Sequence, residues 1–90
     1  MKYQKKPIIV EAYAVDELLR LNQDDYDALP ERVRQGYENS EIMFKHNGID
    51  VETKTGWFHA DKGDYIIVGI DSEMYPCKAD TFAATYEAAE

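Results

Sequence analysis

One cysteine among 90 residues excludes an internal disulfide, so this fold must hold by packing and hydrogen bonding alone. Two histidines and that single thiol supply no spaced ligand pair such as CxxC or HExxH, which excludes a zinc site of the usual kinds. No GxGxxG, phosphate loop or GxSxG is present, so the common nucleotide and nucleophile-elbow chemistries have no footing, and no cofactor is expected. Glycine and proline are scarce, at five and three, which excludes a low-complexity or fibrous chain. Long hydrophobic runs are also missing. The N-terminal "MKYQKKPIIVEAYAV" has only Ile8, Ile9 and Val10 in succession before Glu11, too few for a signal segment or a membrane helix. A cytoplasmic protein with no membrane partner is expected.

Basic residues are the other shortage, at 10 against 18 acids, for a net charge of −8. Three lysines cluster before residue 7, but the rest of the chain is acidic throughout. A phosphate backbone needs clustered Lys and Arg, so no nucleic-acid partner is expected.

What the chain does have is alternation. "PIIVEAYAV" reads as a first strand over residues 7–15. Asp16 is placed to cap a short helix in "ELLRL", and Pro30 with Glu31 opens a second, over about residues 28–38. From Glu41 the period becomes two. Asn47-Gly48 between alternating runs predicts a hairpin pairing Phe44 with Val51 and Lys45 with Asp50. Thr55-Gly56 then pairs Val51 with Ala60 and Glu52 with His59. A loop at residues 61–63, with Gly63 left-handed, pairs Phe58 with Ile66, and Asp71-Ser72 pairs Ile66 with Cys77.

The expected architecture is one α+β domain over residues 1–90. It has an antiparallel five-stranded meander joined by the N-terminal strand into a curved sheet or partly open barrel, a helical insertion after that strand, and a short C-terminal helix capped by Asp80.

This register assigns faces. Phe44, Val51, Phe58, Ile66, Val68, Ile70, Tyr75 and Cys77 share the face to be buried, which makes Cys77 a small core hydrophobe rather than a nucleophile. The turn aspartates Asp61, Asp64 and Asp71 are expected to bond local amides rather than to work as paired acid and base. No catalytic residue and no metal ligand is expected. The opposite face carries Met43, Trp57, His59, Tyr65, Ile67, Met74 and Lys78, too apolar for a solvated sheet surface. Either the chain's own strand or helix covers it, or Trp57, His59, Tyr65, Met74 and Lys78 form a binding surface for a protein partner, a second copy or a small molecule.

"MKYQKKPIIVEAY" at the start and "KGDYIIVGIDSEMYPCKADTFAATYE" at the end resemble a family of small, uncharacterised phage and prophage proteins. Members open on a Lys-Lys-Pro strand and close on Gly-Asp-Tyr-Ile-Ile, Tyr-Pro-Cys-Lys-Pro-Asp and Phe-x-x-Thr-Tyr-Glu motifs. Here Lys62 and Ala79 stand at two turn positions where the family has proline. The resemblance implies a phage accessory protein acting in an infected or lysogenic bacterium; together with the residues above, a non-enzymatic small binding or interaction module modulating a host system is expected. A small-molecule or nucleotide sequestering protein and a minor assembly or virion component are the alternatives.

Overall fold

The computed structural model describes residues 1–3 and 8–89. Lys5, Lys6 and Pro7, which carry the Lys-Lys-Pro motif and of which Pro7 opens the expected first strand, lie outside them. Element order is β1 (Glu11–Ala14), α1 (Val15–Asp24), a 3-10 turn (Tyr26–Ala28), α2 (Glu31–Glu38), β2 (Ile42–Lys45), β3 (Gly48–Thr53), β4 (Gly56–Asp61), β5 (Tyr65–Val68), β6 (Met74–Cys77) and α3 (Ala79–Thr85).

The class is α+β and every strand pair is antiparallel, but the meander is not continuous. The strands form two three-stranded sheets, β1-β5-β6 and β2-β3-β4, in place of one curved sheet or partly open barrel. The break falls between β4 and β5, and its cause is the composition of β5. Ile66 and Ile67 are both fully buried and Val68 nearly so, so this strand is apolar on both faces and needs cover on both. It therefore sits centrally, with β1 and β6 at its edges, instead of beside the half-polar β4. Ile66 and Val68 enter the main core with Val15, Leu18, Leu29, Val33, Ile42, Ile49, Val51, Ala60 and Met74. Ile67 and Tyr65 point the other way, beneath α3, where Phe82 stacks on Tyr65 at 3.9 Å between ring centres and Tyr86 follows Phe82 at 5.4 Å.

Both hairpins of the second sheet form with their expected faces, but each turn sits one residue earlier. Ile42 pairs with Val51 and Phe44 with Ile49 around a turn at His46-Asn47; Val51 pairs with Phe58 and Ile49 with Ala60 around a turn at Lys54-Thr55. Gly48 and Gly56 each begin the following strand instead of closing the turn. A two-residue shift preserves the side-chain alternation, so each strand turns its expected side to the core, but of the residues expected to be buried there Phe58 at 47% and Ile70 at 75% are exposed.

The last hairpin differs in kind. Its loop is three residues, Ile70-Asp71-Ser72, closed by Gly69 N–H donating to the Glu73 carbonyl at 2.9 Å, with Ser72 at a φ of 65°. Pairing becomes Ile66 with Pro76 and Tyr65 with Cys77, a one-residue slip that turns β6 over. Met74, expected outside, is therefore a core residue at 2% exposure. Cys77, expected on the main core face, lies on the α3 side with Tyr65 and Tyr75.

Helix starts are also displaced. The α1 helix begins at Val15 after Ala14, which leaves the Asp16 carboxylate free to accept the Gly63 amide at 3.1 Å instead of capping its own helix. The α2 helix starts at Glu31, with Pro30 just before it. The α3 helix starts one residue before Asp80, and its first amide, Ala79 N–H, is accepted by Asp64 at 3.2 Å.

Gly48 shows why the shifted register is the one this chain takes. A Cβ added there would lie 2.1 Å from the Ala60 carbonyl oxygen and 2.8 Å from His59 Nε2, so the neighbouring strand and the imidazole occupy the space a side chain would need. Gly48→Ala is expected to destabilise by about 2 kcal/mol or more through this overpacking, measured by chemical denaturation. Gly56→Ala meets no atom within 4 Å and should lose stability only through its φ of 130°.

Candidate functional site

The outer face of β2-β3-β4 is organised by a chain of charges. Lys45 Nζ lies 2.9 Å from Asp50 Oδ2, and Asp50 Oδ1 lies 2.5 Å from His59 Nδ1. His59 Nε2 is then 3.2 Å from Asp61 Oδ1, and Lys78 Nζ meets Asp61 at 3.3 Å and Asp64 at 3.4 Å. The chain runs from β2 through β3 and β4 to the β6–α3 junction, so it fastens one sheet to the other. His59 lies opposite Asp50 because of the two-residue shift; under the expected register it would have faced Glu52. The expected Lys45–Asp50 contact is present, made diagonally. Lys54 reaches Glu73 at 3.5 Å, and Glu41 is taken by Arg32 at 3.1 Å.

Electrostatics follow from these partners. The His59 hydrogen bond, then Lys45, holds the Asp50 carboxyl below its ordinary value. Hydrogen bonding to Asp61, with Asp64 beside it, raises the Lys78 ammonium. An imidazole held by a carboxylate at each ring nitrogen has none left to take a substrate proton, which is the role a general base needs. Among the described residues no three His, Cys, Asp or Glu side chains are grouped so as to hold a metal ion.

Five residues are expected in a common binding surface: Trp57, His59, Tyr65, Met74 and Lys78. Trp57 and His59 share the outer face of β4, and Lys78 joins them through Asp61. Tyr65 is on the other sheet under Phe82, and Met74 is in the core. Met43 belongs with Trp57: it is 49% exposed and Trp57 is 47% exposed on the same face. The ionic chain itself was partly legible, because His59 and Asp61 are two apart on one strand and must share a face.

Elsewhere, an open cleft of about 610 Å³ lies between β1 and α2, lined by Tyr13, Arg32 and Ser72 among others. Arg32 there is committed to the Ser72 carbonyl at 2.7 Å and to Glu41. Burial and a hydrogen bond to Glu11 push the Tyr13 hydroxyl up to about 12. A second groove of about 670 Å³ is lined by Ile8, Ile70, Tyr75 and Tyr86. Neither is lined by Trp57, His59 or Lys78.

No protein-family model, no curated protein and no solved structure matches this chain. Among the described residues no helix is long and apolar enough to cross a membrane.

Cys77 is half-buried. Burial first, then the carboxylates of Asp64 and Asp80, push its thiol above the ordinary value, because each disfavours the thiolate. A maleimide or disulfide reagent should therefore label native Cys77 more slowly at neutral pH than the unfolded chain. The rate should rise with pH, its midpoint lying above that of a free thiol, and rapid labelling at neutral pH would contradict this.

Proposed function

We propose that this chain is a small non-enzymatic interaction protein of phage or prophage origin that modulates a host system by binding a protein partner through the outer face of β2-β3-β4. The observation that carries this reading is that Trp57 on β4 and Met43 on β2, the two outer strands, are each about half exposed on one sheet face whose surrounding charges are tied to one another. Large apolar side chains held on a rigid sheet, with polar groups around them, have the anatomy of a binding patch. Acids and bases alternate there, with Glu41, Asp50, Glu52 and Asp61 beside Arg32, Lys45, Lys54 and Lys78, so the complementary surface has an apolar centre and a mixed charged rim. The small-molecule alternative has less support, since Tyr65 and Met74 do not join Trp57.

The test is Trp57→Lys combined with Met43→Lys. Both side chains leave the core untouched, so the double variant should keep its circular dichroism spectrum and melting behaviour. Capture of the partner from host extract by the tagged variant should fall by about tenfold or more, as for loss of a central aromatic anchor. A folded variant with unchanged capture and unchanged effect on the host would overturn the reading.

A further inference from the structure

The backbone of β4 carries a second surface, distinct from the side-chain patch. The Glu52 amide donates to the Glu41 carbonyl, and the Lys62 amide donates to the Asn47 carbonyl. Together with the β3–β4 register, these two bonds set which residues of β4 turn their N–H and C=O toward β3: Gly56, Phe58 and Ala60. Trp57, His59 and Asp61 turn theirs away. Asp61 is satisfied within the chain, its amide donating to Asp64 Oδ2 at 3.0 Å and its carbonyl accepting from the Asp64 amide at 3.0 Å. At the other end the Thr55 amide donates to Thr53 Oγ1 at 3.2 Å. Between these stops, Trp57 and His59 each present an N–H and a C=O with no partner among the described residues.

An open edge of this kind is a template for another strand. The free edge of β6 is blunted, because Pro76 sits there and has no N–H to offer. β4 has no proline and is exposed at every position except Ala60.

We infer that β4 pairs antiparallel with β4 of a second copy of this chain, Trp57 of each lying opposite His59 of the other. Only this register engages both open residues on both copies. Sliding it by two either way sets Trp57 against Trp57 or His59 against His59, and the remaining open residue then meets Thr55 or Asp61, whose amides are already taken. The same register sets Phe58 opposite Phe58 on the other face of the strand. Phe58 is 47% exposed in the single chain and gains an aromatic partner across the two-fold axis.

Charge selects a second copy over a basic partner at this edge. Lys54, Lys62 and Lys78 stand around it against Asp61, Asp64 and Glu73, so it is locally balanced and the excess of eight acids lies elsewhere on the molecule. Two copies can therefore approach without the repulsion their net charge would suggest. Asp61 of each also comes beside the Lys54–Thr55 turn of the other. The product is a continuous six-stranded sheet with isologous symmetry and two Trp57 patches on one face.

A strand-to-strand contact is small, so the dimer is weak and is sought by sedimentation equilibrium up to about 1 mM protein, with amide exchange measured across the same range. The wild-type mass should rise toward twice the 10.4 kDa of the chain. The Trp57 and His59 amides should slow by about tenfold or more with concentration, while that of Phe58, already bonded to β3, stays constant. His59→Pro removes one outward donor and no bond to β3, and should hold the protein at the monomer mass; if that variant does not fold, the wild-type exchange pattern decides. A monomer throughout the range overturns the inference, as does a dimer whose Trp57 and His59 amides exchange freely. Either result leaves the partner-binding reading standing, which depends on the Trp57 and Met43 side chains and on capture. Lost capture specificity would likewise leave the strand pairing intact.

Discussion

Asp64, through its side chain and backbone together, is where the two sheets, the C-terminal helix and the start of α1 are joined. It is only 8% exposed. One carboxylate oxygen accepts the Asp61 amide and the Lys78 ammonium, and the other accepts the first amide of α3. Its own amide closes the turn to the Asp61 carbonyl, and its own carbonyl accepts the Val15 amide where β1 passes into α1. A buried carboxylate is costly unless it is bonded and paired, and this one is both. Gly63, at a φ of 93°, makes the turn that delivers it. The central strand β5, which carries Tyr65 beneath Phe82 of α3, starts at the residue after Asp64, so the placement of its sheet against β2-β3-β4 depends on this contact.

The charge chain on the outer face is an extension of the same hub. Asp64 shares Lys78 with Asp61, Asp61 shares His59 with Asp50, and His59 shares Asp50 with Lys45. Exposed pairs contribute little singly, but here each member between Lys45 and Asp64 has two charged partners and the series crosses from one sheet to the other. The consequence for function is geometric. Trp57 and Met43 are presented on a face whose strands cannot easily shift past one another, and the open edge of β4 is held straight between two turns that satisfy its ends.

Much of this was legible in the residues. The alternation from Glu41 onward identified β2, β3, β4 and their buried face, and Asp64 was expected to accept turn amides, as it does. What misled was the use of glycine. Asn47-Gly48 and Thr55-Gly56 have the composition of two-residue turns, yet Gly48 is needed one position later, beneath His59 and against the Ala60 carbonyl, a demand that arises only when β3 and β4 are packed. The slip at β6 has a different origin. Ser72 takes a left-handed conformation that sequence favours for glycine or asparagine, and the extra loop residue exchanges Met74 for Cys77 in the core. The separation of the sheets was signalled by the unbroken apolar run in "YIIV", which asks for burial on both faces and could have argued against pairing with β4. Trp57, His59 and Lys78 were placed together by sequence; Tyr65 and Met74 were lost to that site by the sheet break and the loop length respectively.

The account turns on Asp64, and the most direct measurement is the stability of Asp64→Ala by chemical denaturation, with Asp71→Ala as a surface control. Asp71 also accepts a backbone amide, that of Glu73 at 3.1 Å, but in an exposed turn. Removing the largely buried Asp64 carboxylate takes the acceptor from the Asp61 and Ala79 amides and a partner from Lys78, so the loss should reach about 1 to 3 kcal/mol, with the amides of α3 losing exchange protection first. A loss within about 0.5 kcal/mol, the range of ordinary surface substitutions, with α3 still protected, would contradict the claim that this carboxylate holds the two sheets and the helix together.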